Sequence, residues 1–259
     1  MDKLLQAERA LIGWQDWAVN LHTRPEILKP LSGGRSNQSF LLDSHGKRMV
    51  LRLNGSESLL PASRRNSEYK VWQAASEQGI APRLLHVDVQ HGFLVSRFIE
   101  NTLPQKPPCK NHFAEMALDL LDRCHRLDVD AKSINYSDHI ERYWKRIEAK
   151  ARRPDKHLAQ QRTAMQDLLK SLLESDTATG LCHHDPIVAN FVGDTNRVYL
   201  IDWEYAANGL QIMDYAALAV EWKLADSLIT LRTGIGADRL SMAKSLYRYL
   251  CRLWALLQI

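Results

Sequence analysis

The chain has 259 residues, 45% of them apolar and 25% charged, an ordinary globular composition with enough length for one large domain or two small lobes with a real core. Its formal charge of +4, from 34 basic and 30 acidic residues, is too weak and too dispersed to mark a nucleic-acid partner. No stretch approaches the roughly 20 apolar residues of a membrane span, Asp2, Glu8 and Asp16 break what would be the apolar core of a signal peptide, and Cys109, Cys124, Cys182 and Cys251 lack metal-ligand spacing, which predicts reduced thiols in a cytoplasmic protein.

Residues 2–21 predict an amphipathic helix, because Leu4, Ala7, Leu11, Trp14, Ala18 and Leu21 recur at steps of three and four. Pro25 and Pro30 bound the next stretch, which runs into Ser32-Gly33-Gly34-Arg35-Ser36-Asn37. Paired glycines permit a tight turn that presents backbone amides to an anion, and Ser36 and Asn37 add donors for phosphate oxygens. A double glycine by itself equally describes a hairpin turn. Met49–Leu53 alternates as a strand, with Arg52 on the face of Val50. Residues 63–78 read as a helix with Ser63 as its cap, Glu68 in its second turn and Gly79 at its end. Two short strands follow, Leu85–Val89 and Phe93–Phe98, joined through Gly92.

Asn101, Pro104, Pro107 and Pro108 read as a connection between lobes, so the expected division is residues 1–100 and residues 101–259. Phe113, Met116, Ala117, Leu120, Leu121 and Cys124 then form one apolar helical stripe. Residues 138–175 read as two helices broken near Pro154, and the basic run from Lys145 to Lys156 reads as a solvated helix end. A further helix is expected over residues 210–225, with Asp214 and Glu221 seven apart and therefore on one face.

The most informative stretch is Leu181–Glu204. His183-His184-Asp185 is followed by Asn190, five residues after Asp185, and the apolar run Val198–Ile201 ends in Asp202. Phosphoryl transfer needs a carboxylate to accept the proton of the attacking hydroxyl, and oxygen ligands for a magnesium ion that neutralises phosphate charge. One Asp, one Asn and a second Asp at a strand end supply that set. The Asp-to-Asn spacing, with a later Asp beside an aromatic, resembles the catalytic loop of protein kinases.

Cys182-His183-His184-Asp185 resembles the C-H-N-D of the choline and ethanolamine kinases, and Asp202-Trp203-Glu204-Tyr205 resembles their D-F-E-Y. The likeness continues through Asp214 and Glu221-Trp222. Ser32–Asn37 is similar to that family's S-G-G-x-S-N nucleotide loop, and Tyr249–Gln258 to its carboxyl-terminal F-W-G-L-W-S-I-x-Q. The wider superfamily includes thiamine kinases and aminoglycoside phosphotransferases.

The resemblance implies an α+β, two-lobed, protein-kinase-like fold with a small N-terminal sheet lobe and a mainly helical C-terminal lobe. It implies a kinase that uses ATP and Mg2+ to phosphorylate a hydroxyl of a small cationic alcohol, most simply choline or ethanolamine. Thiamine or an aminoglycoside stays open as the acceptor, and a nucleotide-binding pseudokinase as another class. By the same resemblance Gly33, Gly34, Ser36, Asn37, Arg52 and Glu68 hold the nucleotide, Glu68 pairing with the strand cation, and adenine is expected near the backbone of Arg97–Ile99. Asp185 is the base, Asn190 and Asp202 bind magnesium, and Glu204 joins a second metal. Glu221, Trp222 and Trp254 meet the acceptor, while His183 and Asp214 support the loop. Cys251 stands where the family has its first carboxyl-terminal tryptophan, so the expected aromatic cage is incomplete, and those enzymes continue with more aromatics beyond the position of Ile259. Nothing in the sequence sets an oligomeric state.

Overall fold

The structure is a computed structural model, and it describes residues 3–31, 37–55, 62–103, 111–150, 152, 156–175 and 178–258. The chain divides into two compact units, Met1–Leu103 with Phe191–Glu204, and Pro104–Asn190 with Tyr205–Ile259.

In the first unit, β1 (Glu26–Leu31), β2 (Gln38–Ser44), β3 (Lys47–Leu53), β4 (Leu84–Asp88) and β5 (Phe93–Arg97) form an antiparallel sheet in the order β1-β2-β3-β5-β4. The register places Leu51 between Phe40 and Val95, and Arg52 opposite Leu94. Strand alternation then sends Met49, Leu51 and Leu53 to one face and Val50 and Arg52 to the other. The first face is the buried one, where Ala7, Leu11 and Trp17 pack on Met49, Leu51 and Val95. α2 (Ala62–Glu77) precedes β4, and Gly79, at φ 65°, ends it.

The helix expected over residues 2–21 is shorter. α1 (Lys3–Ala10) stops at Ala10, Leu11–Asp16 tightens into a 3₁₀ turn around a non-helical Gly13 (φ −97°, ψ 28°), and Trp17 is extended. Two forces overrule the periodicity. Glycine inside a helix costs about 1 kcal/mol relative to alanine, and the Ala18 amide bonds the Leu85 carbonyl at 2.7 Å, tying the segment to the sheet edge.

The second unit opens with α3 (Asn111–His125), α4 (Tyr136–Ala149) and α5 (Lys156–Glu174). Phe113, Ala117, Leu120, Leu121 and Cys124 are all buried, as a single apolar stripe demands. Asn135 caps α4 by accepting the Asp138 amide at 3.1 Å. β6 (Thr179–Cys182) follows.

The chain next contributes a hairpin, β7 (Phe191–Gly193) and β8 (Val198–Leu200), to the first unit. The Leu200 amide bonds Ile80 O at 2.8 Å and the Thr102 amide bonds Gly193 O at 2.9 Å. Gly193 sits at φ 139°, and a Cβ there would lie 2.1 Å from Arg197 O, so no other residue fits. A single cut at residue 100 therefore does not describe the division, because Phe191–Glu204 clusters with the sheet.

β9 (Ala207–Leu210) returns antiparallel to β6 and leads into α6 (Gln211–Glu221), α7 (Asp226–Thr233) and α8 (Ala237–Gln258). Ile212 to Ala219 are buried without interruption, which marks α6 as the central helix of this unit. α6 ends at Glu221 rather than continuing to residue 225, because Trp222 is drawn fully into the core and Lys223 turns to φ 53°.

Candidate active site

In the first unit the side chains gather around Arg52. Its Nη2 lies 2.6 Å from Glu68 Oε1 and its Nη1 lies 3.3 Å from Asp202 Oδ1. Its guanidinium also stacks 5.5 Å from the Trp72 ring. Burial alone would lower its pKa, but the charges of Glu68, Asp202 and Glu204 together raise it, so Arg52 stays a cation. Asp202 follows β8 at φ 66°, a left-handed conformation that a non-glycine residue holds only under surrounding constraint. Asn37 donates to Glu204 Oε2 at 3.1 Å and accepts the Gly55 amide at 3.3 Å. The side chain that closes the glycine-rich segment is thereby joined to the Asp202-Trp203-Glu204 turn. Gly33, Gly34 and Ser36 lie outside the described residues.

In the second unit the segment after β6 is braced from below by α6. Asp214, with no exposure, accepts the His183 amide at 2.8 Å and the His184 amide at 2.7 Å. Its Oδ2 also lies 3.0 Å from His125 Nε2. Burial opposes its charge, but the His125 hydrogen bond and the nearby histidines win and push its carboxyl down to about 2. His184 takes φ 65°, and its Nε2 lies 2.9 Å from the Tyr136 hydroxyl, which also accepts the Leu210 amide. A left-handed, strained backbone thus sits directly beside Asp185 in the chain.

Asn190 Nδ2 lies 2.9 Å from both the carbonyl and the Oδ2 of Asp185. This closes the five-residue loop and leaves Asn190 Oδ1 as the remaining acceptor of that amide. Trp222, expected against the acceptor, is instead a core residue. It is fully buried, its ring centroid is 4.6 Å from that of Phe113, and its indole N–H donates to the carbonyl of Pro186, next to Asp185. It holds the loop and presents no open aromatic face.

His125, Cys182 and Asp214 have ligand atoms within 4.8 Å of one another, and all three are buried. They do not suit a metal ion. Burial, with the Asp214 charge added, holds the Cys182 thiol protonated, well above its ordinary range, and the Asp214 oxygens are committed to two amides and a histidine.

The second unit also brings together groups that sequence spacing does not reveal. Glu221 accepts the Tyr247 hydroxyl at 3.0 Å. Burial pushes the Cys251 thiol up to about 11, the charges of Glu221 and Asp185 adding to it against a hydrogen bond from Tyr247. Burial also raises the Tyr143 and Tyr247 phenols, with Cys251 and Asp185 contributing to both. Glu221 and the Tyr247 phenol are therefore in contact, and the Asp185 charge is felt at Tyr143, Tyr247 and Cys251. Tyr247, Cys251 and Trp254 stand at i, i+4 and i+7 of α8, a helical face that spacing alone makes legible. Tyr143, on α4, has no such signal. Trp254 is partly buried.

A family model for the phosphotransferase enzyme family matches residues 27–244. The chain belongs to that family. A curated relative, the protein LicA of Haemophilus influenzae, is 24% identical over 204 residues, a match covering 74% of this chain and 58% of the relative, so the chain spans less than two thirds of that protein. A crystal structure of choline kinase LicA from Streptococcus pneumoniae aligns with a TM-score of 0.76 at 20% identity, over 99% of this chain and 91% of that one. A structure of LicA in complex with AMP gives a TM-score of 0.78 at 20% identity, over 100% and 90% of the two chains. At these identities the likeness establishes the fold, α+β and kinase-like, with one sheet unit and one mainly helical unit.

Asp202 in the first unit and Asn190 in the second each offer a hard oxygen, the ligand type that magnesium prefers. Asp202 is a carboxylate with its side chain 30% exposed, and Asn190 keeps a carbonyl oxygen after its nitrogen is used by Asp185. Neither residue bonds a thiol or an imidazole in the contacts among the described residues.

Proposed function

We propose that this phosphotransferase moves the γ-phosphoryl group of ATP to the hydroxyl of a small cationic alcohol of the choline or ethanolamine kind. The observation that carries the reading is the neighbourhood of Asp185. Asp185 is a carboxylate held by Asn190, and its charge and that of Glu221, which bonds the Tyr247 hydroxyl, both act on Tyr247.

In this reading the acceptor hydroxyl loses its proton to Asp185 as its oxygen bonds the γ-phosphorus. The bond from that phosphorus to the β–γ bridging oxygen breaks, and ADP leaves with the electron pair. Arg52, held by Glu68, steadies the nucleotide phosphates, and Asn37 with the glycine-rich segment borders them. Asn190 and Asp202 are the proposed magnesium ligands, and the ion when bound would offset phosphate charge. Glu221, Tyr247 and Trp254 are assigned to the cationic end of the acceptor. A quaternary ammonium donates no hydrogen bond, so carboxylates and aromatic faces are the groups able to hold it. The related LicA structure with AMP supports nucleotide use, and ATP and reduced thiols together favour the cytoplasm.

The test is ADP release by the purified chain with ATP and magnesium. It is run against choline, ethanolamine, thiamine, a set of aminoglycosides and the neutral isostere 3,3-dimethylbutan-1-ol, with and without a chelator. Turnover is expected with a cationic alcohol and only with magnesium. Equal rates on the neutral isostere would remove the cation site, and no turnover with any acceptor would make the chain a nucleotide-binding pseudokinase.

A further inference from the structure

The first unit carries a groove whose basic side chains have no role in the reaction just described. Its volume is about 740 Å³, within the range of small-molecule sites. Val19 and Phe98, both partly exposed, make its apolar floor with the buried Met49 and Leu85 behind them, and Lys47, Arg48, Arg83 and Arg97 line it. Met49 pairs directly with Arg97 across β3 and β5, so the two share a face, and an odd step along β3 separates Met49 from Arg52. The side chains of Met49 and Arg97 therefore lie on the face of the sheet opposite Arg52, and the groove reaches the Arg97–Phe98 segment only from that face.

The charges in the groove are unbalanced. Its two acids are already engaged: Asp43 accepts the Gly46 amide at 3.1 Å, and Glu100 pairs with Arg48 at 3.3 Å. Lys47 donates to the Asn20 carbonyl. Among the described residues no ion pair forms at Arg83 or Arg97, which are both exposed. The Arg97 amide bonds the Arg83 carbonyl at 2.8 Å, so the backbone holds these two cations side by side. Like charges at adjacent positions of a sheet repel. An anion placed between them relieves that repulsion, and paired guanidinium forks match phosphate and carboxylate oxygens.

We propose that this groove binds a small soluble organic anion, a phosphate monoester or carboxylate of an apolar body, with the anionic head on Arg83 and Arg97 and the body against Val19 and Phe98. The apolar floor excludes a bare inorganic ion as the best occupant, and the concavity favours a compact ligand over a flat lipid surface.

Phenyl phosphate serves as the probe, with phenol and inorganic phosphate as partial analogues. Binding to the full chain is followed by calorimetry with and without saturating ATP and magnesium. Saturable 1:1 binding is expected, tighter than for either partial analogue, weakened by salt and unaffected by nucleotide. The double variant Arg83→Gln/Arg97→Gln should lose about tenfold or more in affinity while keeping the wild-type melting temperature, and Arg83→Gln alone, outside the Arg97–Ile99 segment, should lose part of that affinity while keeping ATP turnover. Lys47→Gln, on the same groove, should give a smaller loss in a fold that is equally intact. Displacement of phenyl phosphate by ATP, or equal affinity in wild type and double variant, overturns the proposal. So does retention of the protein on phosphatidylglycerol vesicles, lost in the double variant, without phenyl phosphate binding.

Discussion

Arg52 Nη2 and Glu68 Oε1 are 2.6 Å apart, with side chains only 6% and 3% exposed. A buried charge left without its partner is strongly destabilising, by about 3–5 kcal/mol. Glu68→Ala should therefore lower the melting temperature by roughly 10 °C for a chain of this size. Arg52→Lys keeps the charge but loses the fork that reaches Glu68, Asn54 and Asp202 together, so it should raise the KM for ATP more than that for the acceptor. A Glu68→Ala protein that melts with the wild type, or an Arg52→Lys protein whose acceptor KM alone moves, would contradict this.

Asp185 is assigned the proton transfer. Asp185→Asn should cut kcat by about 10²–10⁴-fold, the scale of a general base. Nucleotide affinity should hold, since none of the groups assigned to the phosphates has changed. Single-turnover kinetics beside an ATP titration separate the two, and wild-type kcat in a folded variant removes Asp185 from the chemistry.

Asp214 links the loop to pH. Its carboxyl falls from 3.8 to about 2 in the folded chain, burial being outweighed by the His125 hydrogen bond and histidine charge. The unfolded chain thus takes up the proton first as pH drops. The contribution, about 2 kcal/mol, is complete above pH 4 and is lost as pH falls through 2. Urea unfolding from about pH 6 to about pH 2.5 should show a steeper loss in wild type than in Asp214→Asn. Parallel curves for the two proteins would refute the assignment.

Two tryptophans that look alike in the sequence should behave differently. Trp254→Ala should raise the KM for a cationic acceptor by roughly 2- to 30-fold, the value of one aromatic face, with little change in melting temperature. Trp222→Ala should instead lose about 3–5 kcal/mol of stability, as buried aromatics do, because it removes the packing on Phe113 and the bond to Pro186. Thermal melts and acceptor kinetics on both variants decide it. The reverse pattern would put the acceptor at Trp222.

Much of this molecule follows from local spacing. The alternation of Met49–Leu53 assigns Arg52 a face, the stripe from Phe113 to Cys124 makes a helix, and five residues from Asp185 to Asn190 let one loop close on itself. Backbone periodicity sets each of these, and neighbours in sequence carry it. Other features depended on which faces meet. Periodicity continued a helix to Leu21, but Gly13 and the Ala18 bond to Leu85 of β4 ended it. Trp222 reads as an exposed partner for a ligand until Phe113 and Pro186 cover it. Phe191–Glu204 joins the sheet through Ile80 and Thr102, far away in sequence. Tyr143 of α4 feels the charge of Cys251 of α8 only because those two helices pack together. Burial and long-range pairing are properties of surfaces brought into contact, so a residue's own neighbours encode the strand or helix but not what finally lies against it.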